Sequence, residues 1–108
     1  MNTRTVIVVV DRPMGSAHHR YPELIYPINY GYIPNTLAAD GEPEDAYILG
    51  MDHPVASFTG QIIAKILRED DAEFKWVVAP AEQRFTQEQI YHAVYFQEQY
   101  FRFTIQLL

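Results

Sequence analysis

Apolar residues along this chain fall mostly into short blocks, with stricter polar alternation only in places, and both patterns point to β-strands. Residues 5–10 (TVIVVV) are rich in β-branched side chains and predict a strand buried on both faces, ended by Asp11, Arg12 and Pro13. Residues 46–51 (AYILGM) predict a second strand, preceded by a turn at Asp40-Gly41 and closed by Asp52, His53 and Pro54. Residues 61–67 (QIIAKIL) and 74–79 (FKWVVA) flank the charged turn Arg68-Glu69-Asp70-Asp71 and read as a hairpin. Across residues 14–39 the pattern dissolves. Gly15, Pro22, Pro27, Gly31 and Pro34 exclude a long helix there and predict short extended pieces joined by turns.

A helical signature begins at Thr86, with Gln89 three positions on as the other half of a capping box, and predicts a helix from 86 to about 100. Its apolar stripe is imperfect: Ile90, Val94, Phe96 or Gln97, and Phe101. Residues 103–108 suit a last short strand. Strands followed by one helix predict a small β-barrel or β-sheet with the helix packed on it.

Composition narrows the class. A chain of 108 residues is expected to form one domain, residues 1–108, and a hydrophobic fraction of 48% with eight Tyr, six Phe and one Trp is that of a folding chain. There is no cysteine, so disulfides, thiolate zinc sites and cysteine nucleophiles are excluded, which suits a reducing cytoplasm. The apolar run at residues 6–10 is far short of the roughly 20 residues a membrane span needs, and no membrane partner is expected. A net charge of −6 with no clustered Lys/Arg face argues against nucleic acid. An acidic protein binds an anion such as phosphate when divalent cations stand between the two sets of charge.

That thought gives meaning to DGEPEDAY, residues 40–47, where four carboxylates fall within six positions. Two carboxylates about 4 Å apart repel by about 4 kcal/mol at an effective dielectric near 20, so a rigid cluster calls for a counter-charge. Mg²⁺ takes hard oxygen ligands and keeps company with substrate phosphates. Asp40, Glu42 and Asp45 are the candidate ligands, against the plainer reading of a solvated acidic turn capping a strand. Tyr26, Tyr30 and Tyr100 read equally as core aromatics or as phosphate donors. Taken alone, Lys75 and the four histidines, His18, His19, His53 and His92, read as surface residues.

The stretch YPINYGYIPNTLAADGEPEDAYIL, residues 26–49, resembles the signature of family I inorganic pyrophosphatases, a YPxNYGFIPxTLAxDGDPLDVLVL-type segment that carries metal-binding aspartates. The likeness extends outward. VVVDRP (8–13) is similar to the family's first strand, with Asp11 at the acidic position, and Gly15-Ser16 with Arg20-Tyr21 is similar to a segment that puts Arg20 at a phosphate-binding lysine. KWVVAP (75–80) matches the Lys-x-x-Ala-Val-Pro strand, with Lys75 beside the metal site and Glu73 in place of an aspartate. FQEQYFR (96–102) resembles the C-terminal helix motif, placing Tyr100 at the substrate tyrosine and Arg102 one residue after the phosphate-binding lysine, whose own place is taken by Phe101.

The resemblance implies a mainly β fold, a five-stranded OB-like closed barrel with one C-terminal α-helix, and Mg²⁺-dependent hydrolysis of pyrophosphate, with Mn²⁺ as a substitute ion. Its ligands would be Asp40, Glu42, Asp45, Glu73 and Asp11. Asp45 or Asp40 would position the water, Tyr30 would assist, and Arg20, Tyr26, Tyr30, Lys75, Tyr100 and Arg102 would bind the substrate. A homo-oligomer is expected. Departures from the pattern are equally specific. Glu42 replaces an aspartate, Glu44 fills an apolar position, and Arg68 stands where a further metal-bridging aspartate is expected unless a shift recruits Glu69 or Asp70. An arginine-bearing stretch before Tyr26 is missing unless His18, His19 or Arg20 substitutes. The intact Asp-Gly-x-Pro-x-Asp core favours a pyrophosphatase. Arg68 and Phe101 favour a binding protein that has lost turnover, and an altered pocket would suit a hydrolase of another phosphate ester or nucleotide.

Overall fold

The computed structural model describes residues 4–69 and 73–108. Its strands are β1 (Thr5–Arg12), β2 (Asn29–Ile33), β3 (Glu44–Ile48), β4 (Ser57–Arg68), β5 (Phe74–Ala79) and β6 (Phe103–Leu107), with helix α1 (Gln87–Glu98) between the last two. The strand order is β1-β2-β3-β5-β4-β6, and β1 also pairs with β4. That extra pairing closes β1, β2, β3, β5 and β4 into a five-stranded barrel and leaves β6 as an extension on β4. Every pairing is antiparallel except β3 with β5. The mainly β barrel with one C-terminal helix is the architecture expected from the sequence.

Two bulges decide which way side chains face. Ile62 pairs with Val78 and Ala64 with Val77, so Ile63 is an extra residue and β4 changes face there. Ile62 joins Val8, Ile33, Ala46, Ile48, Trp76 and Val78 in a cluster drawn from all five barrel strands. Ala64 and Ile66 join Tyr47, Leu49, Val77 and Ala79 on the opposite face, where Ile90 and Val94 of α1 and Ile105 of β6 cover them. The second bulge lies between Val10 and Arg12 and makes Asp11 the extra residue of β1.

Several boundaries differ from those expected. β1 runs on through Asp11 and Arg12, and one of its faces is open, with Ile7 56% exposed. β3 starts two residues early, so Glu44 and Asp45 lie inside it. β4 starts at Ser57, where pairing with β1 holds residues 57–60 in the sheet. The 14–39 region contains a full barrel strand, β2. The capping box on Thr86 is present, but α1 ends at Glu98, leaving Tyr100 and Phe101 in the connection to β6.

The signature residues of this region prove to be largely structural. Asn29 is fully buried. Its Oδ1 accepts from the amides of Met14 (2.9 Å) and Val55 (3.3 Å), and its Nδ2 donates to the His53 carbonyl (3.0 Å), stapling two loops to β2. Thr36 Oγ1 donates to the Ile33 carbonyl (2.6 Å) and accepts from the Glu44 amide (2.9 Å), closing the loop between β2 and β3. Gly31 lies so close to β1 that a Cβ there would strike the Val9 carbonyl and approach Val10 Cα at 2.8 Å. Gly41 has φ +86° and open space around it. Gly41→Ala is therefore expected to cost about 1–2 kcal/mol through backbone conformation alone. Gly31→Ala, which must push β1 from β2, is expected to cost about 3 kcal/mol or more. Urea unfolding of both variants tests the ranking.

Candidate active site

β3 and β5 run parallel with Asp45 beside Lys75, and β2 sets Tyr30 beside Tyr47 on the neighbouring strand. Lys75 Nζ donates to Asp45 Oδ2 and to the Tyr30 hydroxyl, both at 2.9 Å. Lys75 is only 7% exposed, so the solvated lysine suggested by sequence is in fact a buried ammonium held by two oxygens. Tyr30 is hydrogen-bonded to Asp45 as well. Its phenol is raised well above the ordinary value, by burial first and then by the charge of Asp45, and stays protonated at neutral pH.

These groups line a cavity of about 770 Å³. Asp11, Arg12, His18, Tyr26, Arg68 and Tyr100 share its wall. The Asp11 carboxyl is raised above its usual range by burial, with Arg12 opposing. The Tyr26 hydroxyl donates to Gln97 Oε1 (3.1 Å), another residue of the cavity wall, and is hydrogen-bonded to Arg12.

From the wall residues Gln97 and Arg68 a buried polar chain that the sequence did not disclose runs inward through Tyr47 and Glu98. Gln97 Nε2 donates to the Tyr47 hydroxyl (2.8 Å), which donates to Glu98 Oε2 (2.6 Å). Arg68 then grips Glu98 with Nε to Oε1 (2.9 Å) and Nη2 to Oε2 (2.8 Å). Glu98 is fully buried, and the Arg68 guanidinium lies 3.7 Å over the Phe101 ring. Burial works against the charge of Arg68, yet the hydrogen bonds and charge of Glu98 together hold its pKa above the ordinary value. The signal for Glu98 was its spacing: residues 90, 94 and 98 lie on one helical face.

The acidic cluster divides. Asp40 is exposed. Its Oδ1 accepts from the Glu42 amide (3.0 Å), and its side chain is hydrogen-bonded to Glu73. The Glu42 amide, then the Glu73 contact, with a smaller contribution from Lys75, hold the Asp40 carboxyl below its usual range. Glu42 is exposed, and Glu44 accepts from Trp76 Nε1 (2.9 Å). Among the described residues no three Asp, Glu or His side chains gather closely enough to hold an ion, so Asp40, Glu42 and Asp45 do not converge as a trio. Asp11 and Asp45 line the cavity, whereas Asp40, Glu42 and Glu73 do not. Arg20 and Arg102 are exposed and off the cavity wall: the Arg20 amide donates to His18 Nδ1 (3.1 Å), and the Arg102 carbonyl accepts from Glu69 (2.9 Å). Asp70, the other candidate replacement for the missing aspartate, lies outside the described residues.

Removing one member of a buried ion pair strands the other. Glu98→Gln is expected to lose about 3–5 kcal/mol of stability, whereas replacing Arg68 and Glu98 together by Met should recover most of it. Urea midpoints of the two variants check this.

The family model described as "Inorganic pyrophosphatase" matches residues 1–98. An inorganic pyrophosphatase of Campylobacter jejuni is 38% identical over 68 residues, 60% of this chain and 36% of that protein. One from Saccharolobus solfataricus is 46% identical over 44 residues, 41% of this chain and 22% of that protein. The matched stretches thus span about a third or less of these relatives. The crystal structure of inorganic pyrophosphatase from Ehrlichia chaffeensis superposes with a TM-score of 0.73 over 96% of this chain and 86% of that one, at 17% identity, a likeness of fold. A match over nearly the whole chain, on a barrel of the same architecture, means that this protein belongs to the inorganic pyrophosphatase family.

Proposed function

We propose that this chain, acting as one domain, hydrolyses inorganic pyrophosphate to two phosphates with the help of a divalent cation, Mg²⁺ or Mn²⁺, in the cavity fronted by Lys75. The observation that carries this reading is the Lys75–Asp45–Tyr30 cluster, an ammonium, a carboxylate and a protonated phenol held together on the wall of a cavity that Arg12 and Arg68 also line. Pyrophosphate is densely anionic, and fixed cations that need no reorganisation favour both its binding and the charge that builds on its oxygens during transfer.

The donor set suits one hard ion rather than a cluster. Asp11 and Asp45 both line the cavity, near enough for the charge of Asp45 to help raise the Asp11 carboxyl, and all their donor atoms are oxygen. They would hold the ion, which when bound supplies charge neutralisation and a more acidic water. The chain's own groups do the rest. Lys75 and Arg12 bind phosphate oxygens, and Tyr30 keeps Asp45 oriented. Asp45 takes the proton of the attacking water as its oxygen bonds to one phosphorus and the bridging P–O bond breaks.

A second reading is favoured by Arg68. A guanidinium locked in place by Glu98, where the resemblance puts a metal-bridging aspartate, opposes a second ion and suits capture of the anion without turnover. Self-association is also part of the proposal, for which the exposed rings of Tyr91 and Tyr95 on α1 offer an apolar face. No helix among the described residues is long and apolar enough to cross a membrane, and a cytoplasmic setting is the expectation the composition gave.

Phosphate release from pyrophosphate with Mg²⁺ or Mn²⁺ tests the main reading. The wild-type chain is expected to turn over, and Asp45→Asn to lower kcat by about 100-fold or more. Pyrophosphate bound in calorimetry with no phosphate released would establish the second reading instead.

A further inference from the structure

The cavity is furnished for more than an inorganic ion. A volume of about 770 Å³ lies in the range that accommodates organic ligands. Pyrophosphate has no flat or apolar face, yet much of the wall is aromatic. The His18 ring stacks on Tyr26 with centroids 6.0 Å apart and planes within 1°, and on His19 at 4.7 Å and 19°. Tyr21 leans against His18 at 5.3 Å and is 52% exposed, and Tyr100 is 69% exposed. His18 is locked in this pose because its Nδ1 accepts from the amides of Arg20 (3.1 Å) and Tyr21 (3.3 Å). Exposed ring surface beside a pocket is released from water when a flat ligand covers it.

We propose that this cavity takes nucleoside 5′-diphosphates, with the base lying on the exposed ring of Tyr21, which the stacked His18 supports from behind, while the diphosphate meets Lys75 and Arg12. The inference rests on the hydrolase reading for its chemistry and on the aromatic wall for its choice of substrate. An alkyl diphosphate fits less well. It would cover the Tyr21 and Tyr100 hydroxyls and the His19 ring without offering any of them a hydrogen bond, whereas a base carries donors and acceptors on its edge. Burial first, then the charges of His19, Arg12 and Arg20, lower the pKa of His18, so its ring is neutral at pH 7 and stacks beside Arg12 without repulsion. In the reaction the water oxygen bonds to the terminal phosphorus. The bond from that phosphorus to the bridging oxygen breaks, its electron pair leaves with the nucleoside monophosphate, and the water proton passes to Asp45.

The experiment uses the full chain with Mg²⁺ and compares phosphate release from ADP, CDP, pyrophosphate and geranyl diphosphate. Calorimetry of ADP and geranyl diphosphate is run on Asp45→Asn, where turnover is slow. ADP is expected to bind and to be cleaved, and Tyr21→Ala to lower the ratio of kcat/KM for ADP to that for pyrophosphate by about ten-fold, the effect of one lost stacking partner. Tyr21→Phe, which keeps the ring, should restore the ratio. Three results would overturn the inference: pyrophosphate cleaved while ADP is neither bound nor cleaved, Tyr21→Ala lowering both substrates equally, or geranyl diphosphate binding as tightly as ADP. If no compound releases phosphate while ADP still binds and loses affinity in Tyr21→Ala, the hydrolase reading falls and the stacking site stands.

Discussion

An ammonium and a carboxylate 2.9 Å apart on adjacent parallel strands set the terms for the rest of the molecule. β3 and β5 can run parallel only because β4 intervenes in sequence and returns antiparallel to β5, so the barrel topology itself brings residue 45 beside residue 75. An ammonium this buried without a partner would leave its charge uncompensated and draw water into the sheet. Asp45 and the Tyr30 hydroxyl prevent both, and so β2, β3 and β5 are tied to one another at the cavity by charge as well as by backbone pairing. Hydrogen bonding to a charged group is worth more than a neutral pair, which makes this the natural place for the barrel to be rigid.

Rigidity there would be useless if neighbouring side chains faced elsewhere, and the two bulges see to that. A regular β4 would carry Ala64 and Ile66 to the same face as Ile62, into the barrel cluster, and strip the helix of its floor. The extra residue at Ile63 sends them the other way, where Ile90 and Val94 pack, and α1 in turn carries Gln97 onto the cavity wall and Glu98 behind it. The β1 bulge acts at the opposite edge. It leaves Asp11 unpaired while Arg12 opposite Tyr30 stays in register, so both reach the cavity lining from consecutive positions that a flat strand would have pointed apart.

How much of this could be read in the sequence depended on whether an element declared itself locally. Residues 5–10, 61–67 and 74–79 did, through runs that are mostly apolar, and the helix did through its capping box. β2 did not, because Pro27 and Pro34 bracket it and Gly31 sits within it. The glycine that looks like a breaker is there because β1 comes too close for any Cβ. β3 was placed too late because Glu44 and Asp45 look like turn residues, and the partners that let them enter a strand, Trp76 Nε1 and Lys75, lie 30 or more positions away. The same distance hid the Arg68–Glu98 pair. Lys75, Tyr26, Tyr30 and Tyr100 were recovered as cavity residues only through the resemblance, since alternation alone makes Lys75 a surface residue.

Charge explains why the cavity, rather than the acidic turn, is where chemistry belongs. The chain as a whole carries −6, yet the cavity wall sets Arg12, Arg68 and Lys75 against Asp11, Glu23 and Asp45. Two of these cations already answer a carboxylate, Lys75 with Asp45 and Arg68 with Glu98, so neither charge is lost when the pocket dries around a ligand. A surface that merely attracted anions would need only the basic residues. One that moves a proton while holding an anion needs a base within reach of the same cations, and Asp45, held by Lys75 yet still 40% exposed through its side chain, is such a base. The exposed Asp40–Asp45 turn, by contrast, keeps most of its charge in solvent and contributes to the site through what enters the barrel at its end.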